Sequence, residues 1–163
     1  MANPATQRRL ARRELLLGAA AAVLATARPA AAIGEYVVSD PFTGVAIGGY
    51  DPVAYFLDGM PVRGDPEIEV EWDGAYWIFV NRGNAAAFSD APAVYAPAYG
   101  GHGVVGVARA VPQEGDPTIF AIHRQRLYLF NSVADRTAFL ADADALVAAA
   151  DAKWPAVRAM LAP

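Results

Sequence analysis

The fold of this chain is organised around residues 47–56, which read IGGYDPVAYF. The glycine pair allows a tight turn, because a residue without Cβ reaches positive φ at little cost. Asp51 is expected to cap a short helix whose first residue is the following proline, since that position needs no amide donor. A second aromatic and glycine-rich stretch, YAPAYGGH, occupies residues 95–102. We expect the two stretches to meet in the folded domain, with Tyr55 and Phe56 as core anchors.

The N-terminal segment has the pattern of an export signal. Four arginines lie within residues 8–13, an apolar run extends from Leu15 to about Ala27, and small residues continue to Ala32. This order is typical of a signal peptide, and the run is too short to span a bilayer comfortably. The pair Arg12-Arg13 resembles a twin-arginine signal, and an ordinary secretory signal is the alternative. Cleavage is predicted after Ala32, with Ala27 as the second option.

Export would leave residues 33–163 as a mature protein in the periplasm or otherwise outside the cytoplasm. The expected partners on that route are the twin-arginine export machinery and signal peptidase. With residues 1–32 cleaved, no stable transmembrane segment is expected. Residues 33–46 are predicted to form an extended lead-in with a turn near Asp40-Pro41. Residues 47–163 are predicted to form one domain, because a chain of this size can bury a sufficient core.

Charge and cysteine content exclude several classes of function. Residues 33–163 contain 8 Lys and Arg against 16 Asp and Glu, a net charge of −8. An acidic domain of this kind is a poor nucleic-acid binder, because phosphate contacts need a basic face. The chain contains no cysteine, so thiolate-bound zinc and iron–sulfur clusters are excluded as cofactors.

Two stretches predict antiparallel β-hairpins. In residues 67–80, apolar residues alternate with three glutamates up to an Asp-Gly pair at 73–74, which favours a type I′ turn. The glutamate row is interpreted as a solvated face and not as a cation site. A second hairpin is expected from residues 118–122 and 127–130, which are rich in β-branched and aromatic residues.

A helix is predicted after each hairpin. Asn81 is expected to cap a helix that contains Phe88, and Asn131 or Ser132 to cap another that contains Phe139. The two halves of the domain therefore share the same order of hairpin, cap and helix. This similarity reflects either a degenerate internal duplication or two independent occurrences of the same local structure.

Two further segments complete the predicted fold. Residues 103–110 are small and apolar and fit a helix or a strand equally well, and an Ala-rich helix is expected around Trp154-Pro155. The predicted fold class is α+β: a small single domain with two short antiparallel β-hairpins and helices packed on them.

Taken in order, these features resemble the exported YHS-domain proteins of bacteria. The resemblance extends over about residues 45–158 and is carried by residues 48–56, the hairpin sequence at 72–79, Phe88 with Pro92, and residues 95–101. It implies a small α+β domain related to the treble-clef, TRASH-like metal-binding modules. Exported relatives commonly carry a cysteine two residues after the glycine pair, where this chain has Gly103. A thiolate-based role implied by the family therefore does not transfer.

Candidate ligand-binding residues come from the two aromatic and glycine-rich stretches: Tyr50, Asp51, Tyr55, Tyr95, Tyr99 and His102. His102 follows two glycines, where the backbone can approach a ligand closely, and a neutral imidazole is a common metal ligand. The alternative is a histidine bonded to its own turn. Oxygen atoms of Asp51 and the tyrosines could complete a metal site, or these side chains could be a helix cap and buried rings. His123 is interpreted as a solvated turn residue, and no catalytic residue is singled out.

The function expected from these features is non-enzymatic binding of a small ligand, a metal ion or a partner protein. The alternative is a small enzyme or accessory subunit in which His102 and Asp51 form an acid–base or oxygen-rich metal centre. A third hypothesis is an interaction module that has lost an ancestral metal site, which the missing cysteines suggest. A metal ion is the one cofactor considered, and its identity is left open.

Overall fold

The structure of the protein, a computed structural model, describes residues 36–161. The predicted export signal at residues 1–32 and the first residues of the lead-in lie outside this range. Within it, no helix is both long enough and apolar enough to cross a membrane. Helices and two small antiparallel sheets form a single α+β domain, which confirms the predicted fold class.

The elements follow one another in two similar runs. Each run contains a glycine loop with a 3₁₀ turn, a short helix, a two-stranded hairpin and a capped helix. The first run consists of the first glycine loop Ile47–Gly49, α1 Ala54–Leu57, β1 Asp65–Trp72, β2 Ala75–Phe79 and α2 Arg82–Asp90, with α3 Pro92–Tyr95 after it. The second consists of the second glycine loop Ala98–Gly101, α4 Val104–Ala108, β3 Asp116–His123, β4 Arg126–Phe130 and α5 Val133–Ala141, and α6 Ala143–Leu161 closes the described chain.

The register of strand pairing is interrupted at the same place in both hairpins. Each first strand begins with an Asp-Pro pair, at residues 65–66 in β1 and 116–117 in β3, and a bulge follows that pair. Proline suits such a place because it cannot donate to the ladder. The three glutamates of β1 are exposed while the residues between them are half-buried. The interpretation of the glutamate row as a solvated face is therefore confirmed.

The hairpin turns show where the two runs differ in sequence but not in geometry. Asp73 and Gly74 have φ values of 49° and 70°, as the predicted type I′ turn requires. Arg124 and Gln125 occupy the corresponding turn at 48° and 59°. The second turn therefore places two residues that have a Cβ in the left-handed region, which is costly for L-amino acids.

The helices after the hairpins start at side-chain caps. Asn81 Oδ1 accepts from the backbone amide three residues later at 2.9 Å, as predicted. In the second run Ser132 Oγ accepts from the amide three residues later at 3.1 Å, so Ser132, and not Asn131, caps α5. Phe88 in α2 and Phe139 in α5 are both fully buried. The predicted helix-with-phenylalanine pattern is confirmed in both halves.

The apolar interior has one cluster under each hairpin. In the first, Trp77 and Phe79 each lie with their ring centroids 5.2 Å from that of Phe88. The second packs Phe130 and Phe139 against α4 and α6. The segment 103–110, which fits a helix or a strand by sequence, is thus helical where it packs against α6.

Candidate functional site

The two aromatic and glycine-rich stretches meet at the glycine loops, as predicted. The rings of Phe56 and Tyr95 stand edge to face with centroids 5.6 Å apart. A Cβ on Gly101 would lie 3.1 Å from Ile47 Cγ2. Gly100, at φ 63°, passes so close to the chain before the first loop that a Cβ there would collide with the carbonyl oxygen of Tyr36. Only glycine fits this approach.

The two glycine loops are held by the same backbone hydrogen bonds. The last glycine of each loop accepts from a glycine just before the following strand, at 2.9 Å in the first run and 3.0 Å in the second. Asp51 and Gly103 occupy matching positions two residues later, because their amides donate at 2.8 Å to matching carbonyls, those of Val62 and Gln113. Gly103 therefore lies where the first run has its buried aspartate.

Asp51 is the fully buried centre of the first run. Its Oδ1 accepts from the amides of Val53 at 2.8 Å and Ala54 at 3.3 Å, so Asp51 binds the start of α1 as predicted. The helix begins at Ala54, however, and not at the predicted Pro52. Its Oδ2 accepts from the amide of Val80 at 2.9 Å and from Nδ2 of Asn84 at 2.7 Å. The carboxylate thus ties α1, the end of β2 and α2 together, and its oxygens are already occupied by protein donors.

The tyrosines of the first stretch are also engaged within the protein. The Tyr55 ring is fully buried, its hydroxyl donates to the carbonyl of Pro117 at 2.8 Å, and burial raises the pKa of this phenol. The ring of Tyr50 is half-buried under the guanidinium of Arg63, whose Cζ lies 4.7 Å from the ring centroid. Together with Tyr95, which packs on Phe56, these candidates act as packing residues in this structure.

His102, which matches Tyr50 in the first run, is buried to 6 % exposure. Its Nδ1 has no hydrogen-bond partner among the described residues. Burial lowers the pKa of the imidazole, while the main chain of Gln113 and the Glu114 carboxylate oppose that shift. The ring lies beside Trp154 with centroids 6.0 Å apart. A neutral histidine with one unused ring nitrogen is therefore held just behind Trp154.

Metal coordination at His102 finds no set of companion ligands in the described chain. Between residues 36 and 161, no three His, Asp or Glu side chains come together as they would around a metal ion. His102 as a metal ligand remains a prediction. The other histidine, His123, is a partly exposed residue of the second hairpin, and its Nε2 lies 2.7 Å from Oδ1 of the exposed Asp144.

An open cleft of about 280 Å³ lies beside the second glycine loop. Among the six candidate residues, Tyr99 lines it; Tyr50, Asp51, Tyr55, Tyr95 and His102 do not. The walls combine aromatic rings, two arginines and one acid: Tyr36, Trp72, Asp73, Ala93, Ala96, Pro97, Tyr99, Gly100, Arg126, Trp154 and Arg158.

The aromatic walls of this cleft are fixed by contacts behind them. Trp72 stands edge to face on Phe88 with centroids 5.7 Å apart, and Trp154 stands likewise on Tyr99 at 5.5 Å. The Tyr99 hydroxyl donates to Oδ1 of Asp151 at 2.9 Å, and burial, followed by this hydrogen bond, raises the pKa of Tyr99. The ring therefore stays neutral at physiological pH.

A second cleft, of about 410 Å³, lies beside the first glycine loop. Its cation, Arg63, already donates to the carbonyl of Gly48 at 3.0 Å and stacks on Tyr50. Its acid, Asp40, accepts from the amide of Phe42 and from the amide and hydroxyl of Thr43 at 2.8–3.0 Å. The Asp40 carboxylate is thus satisfied within the protein, and one N–H group of Arg63 is engaged. This larger cleft offers a ligand one cation, whereas the cleft at Tyr99 offers two.

Sequence reasoning missed most of the residues that line the cleft at Tyr99. Trp72 lies in the predicted first hairpin and Trp154 in the predicted Ala-rich helix, and Arg126 and Arg158 are not among the candidate residues. They come from distant parts of the chain, so no spacing links them.

Comparison with known proteins finds no match for this chain: no protein-family model, no curated protein and no solved structure matches it. The likeness to the YHS-domain proteins therefore stays a prediction from the sequence. The function must be argued from the geometry of the site.

Proposed function

We propose that this protein is an exported YHS-like binding domain that holds a small ligand, without catalysing a reaction, in the cleft that Tyr99 and Trp154 line. The observation that carries the proposal is the wall of that cleft. Rigidly backed aromatic rings and exposed arginines line one concave site. Concave sites with apolar walls and a few directed polar groups are the usual form of small-ligand sites.

The lining supports binding better than catalysis. Among the described residues of the wall there is no serine, histidine or lysine, and the single carboxylate, Asp73, is exposed. Nucleophilic catalysis needs a nucleophile within hydrogen-bond reach of a base. The Tyr99 hydroxyl, which is held neutral and bonded to Asp151, does not provide such a pair.

Tryptophan indole signals offer a direct test, because two of the three tryptophans line the cleft and Trp77 is buried in the core. A fragment set containing neutral, cationic and anionic members would be screened by NMR of the indole N–H groups. We expect some fragments to move the signals of Trp72 and Trp154 and leave that of Trp77 in place. Trp154→Leu should abolish the effect, whereas Tyr76→Leu, an exposed ring outside the cleft, should not. Fragments that move neither cleft indole would refute the proposal.

The alternative function is a metal or acid–base centre at His102. It is supported by the buried Nδ1 that has no partner among the described residues, and it is weakened by Asp51, whose oxygens already accept four hydrogen bonds. Elemental analysis of the purified protein and of His102→Ala tests it. Near-stoichiometric copper, zinc or iron that disappears in the variant would favour this alternative, and the absence of metal from both proteins would sink it.

Export is the second part of the proposal and rests on residues 1–32. The Arg12-Arg13 pair followed by an Ala-rich apolar run supports the twin-arginine route to the periplasm. Replacing both arginines by lysine keeps the charge but should leave the protein in the cytoplasm. Fractionation of cells expressing both forms measures this, and an unchanged periplasmic pool would point to the general secretory route.

A further inference from the structure

We infer that the ligand of the cleft at Tyr99 is a small aromatic anion, a flat ring system that carries a carboxylate or an equivalent acidic group. The inference rests on the proposed function and deepens it, because it names the chemical class that this wall recognises. Three features carry it: the placement of the rings, the state of the two arginines and the size of the cleft.

Two indole rings line the cleft and can serve as platforms for a flat ligand. Trp72 at the end of β1 and Trp154 on α6 each contact another aromatic ring, at centroid distances of 5.7 and 5.5 Å. Aromatic side chains fixed in this way lose little conformational freedom when a ring stacks on them. An aliphatic chain would gain less from the same walls.

The arginines give the cleft its preference for negative charge. Arg126 and Arg158 are exposed, and within residues 36–161 neither forms an ion pair. The guanidinium of Arg158 lies over the Tyr36 ring, with Cζ 4.1 Å from the centroid. A guanidinium stacked by its face keeps its N–H edge available, and that edge matches a carboxylate with two parallel hydrogen bonds.

A neighbouring arginine shows that other exposed arginines of this protein do form ion pairs. Arg124, two residues before Arg126, binds Oδ2 of Asp144 at 2.5 Å. Acids outnumber Lys and Arg in the whole chain, 17 to 13. Arg126 and Arg158, which have no carboxylate partner within residues 36–161, can therefore bind an anion from outside the chain. The lining contains one acid, Asp73, and two cations, Arg126 and Arg158.

The volume of the cleft matches a small molecule. A buried cavity of about 150 Å³ accepts a benzene molecule, and the cleft measures about 280 Å³. One or two fused rings with a single acidic substituent fit this space. A nucleotide or a peptide of several residues would extend well beyond the walls.

Naphthoate is the probe that tests this inference, with naphthamide as its neutral counterpart and cyclohexanecarboxylate as the anion without an aromatic ring. Binding would be followed by calorimetry and by the Trp72 and Trp154 indole signals. We expect naphthoate to bind tightest and to weaken as salt is added. Arg126→Gln and Arg158→Gln should each weaken naphthoate roughly tenfold or more, as loss of a charge-assisted hydrogen bond predicts. Arg124→Gln is the matched control and should leave the affinity unchanged.

The outcomes separate this inference from the proposed function. If neutral or cationic fragments move the two cleft indoles while naphthoate does not, or if naphthamide binds as tightly as naphthoate, the anion assignment is wrong and cleft binding stands. If no fragment of any charge moves those indoles, both fail. Thermal unfolding of each arginine variant is measured in parallel, so that a loss of affinity through loss of folding is recognised.

Discussion

Asp51→Asn is the substitution that most directly tests how the first run is held together. The amide has the size of the carboxylate, so packing is conserved. All four partners of Asp51 are N–H donors, two on Oδ1 and two on Oδ2. The NH₂ group of asparagine is itself a donor. Turned towards the partners of Oδ2, it faces the amide of Val80, which cannot accept, and the side chain of Asn84, which can flip to accept from it. The hydrogen bond from Val80 is then lost, and its donor is left without a partner.

The magnitude follows from that lost bond and from the donor that it leaves unpaired. A hydrogen bond to a charged acceptor contributes about 1.5–3 kcal/mol, and a buried donor left without a partner costs as much. We expect the free energy of unfolding to fall by about 3–5 kcal/mol, a large share of the stability of a domain of this size. The midpoint of thermal unfolding should fall by roughly 10–15 °C. Equilibrium urea denaturation followed by tryptophan fluorescence measures the change.

Asp40→Asn is the control for this experiment. The Asp40 carboxylate also accepts three hydrogen bonds, but all three reach Oδ1 and the residue is exposed. An asparagine there keeps the accepting oxygen and leaves its NH₂ in water, so little change is expected. If Asp51→Asn were no more destabilising than Asp40→Asn, the buried carboxylate would not be what holds α1, β2 and α2 together.

Three further predictions concern positions that differ between the two runs. Gln125→Gly should stabilise the protein by about 1 kcal/mol, and Gly74→Gln should destabilise it by a similar amount, because both positions have positive φ in the same turn; urea midpoints measure both. Gly100→Ala should destabilise by more than about 2 kcal/mol, whereas Gly48→Ala should cost only the strain of positive φ, about 1 kcal/mol, because nothing lies closer than 3.9 Å to its Cβ; equal losses would contradict the collision at Tyr36. Burial lowers the folded-state pKa of His102, so the unfolded chain binds more protons and stability declines as pH falls below about 6.5; His102→Phe should reduce the difference between urea midpoints at neutral and mildly acidic pH, and an unchanged difference would assign the acid sensitivity to other groups.

The parts of the fold that the sequence predicted are those decided within a few residues. The turn at Asp73-Gly74 and the cap at Asn81 depend on local backbone geometry, and both were predicted correctly. The Asp51 cap on α1 is local as well. The Asp51 carboxylate also accepts two hydrogen bonds from Val80 and Asn84, which join it to the end of β2 and to α2. No local sequence pattern predicts these two bonds.

The parts that could not be predicted depend on tertiary contacts. Residues 103–110 carry small apolar side chains with no clear period, and packing on α6 decides that they are helical. The cleft at Tyr99 is a stronger case, because it is assembled from the start of the described chain, the end of β1, the start of β4 and α6. Each contributor reads in sequence as an ordinary strand, turn or helix residue.

The cleft lies where the repetition between the two runs ends. In the first run Asp51 binds α1, β2 and α2 to one carboxylate. In the second, Gly103 takes the matching place, and a Cβ there would lie only 3.2 Å from the amide nitrogen of Asn131. That run has no buried acid at this point; it is instead covered by α6, whose Ala150 and Val157 are fully buried. The helix that covers the second core also brings Trp154 and Arg158 to the second glycine loop, and the first run has no counterpart to it. Helix α6 is therefore both the element that sets the second half apart from the first and the element that completes the cleft. It adds Trp154 and Arg158 to wall residues that the repeated hairpins and the second glycine loop already supply.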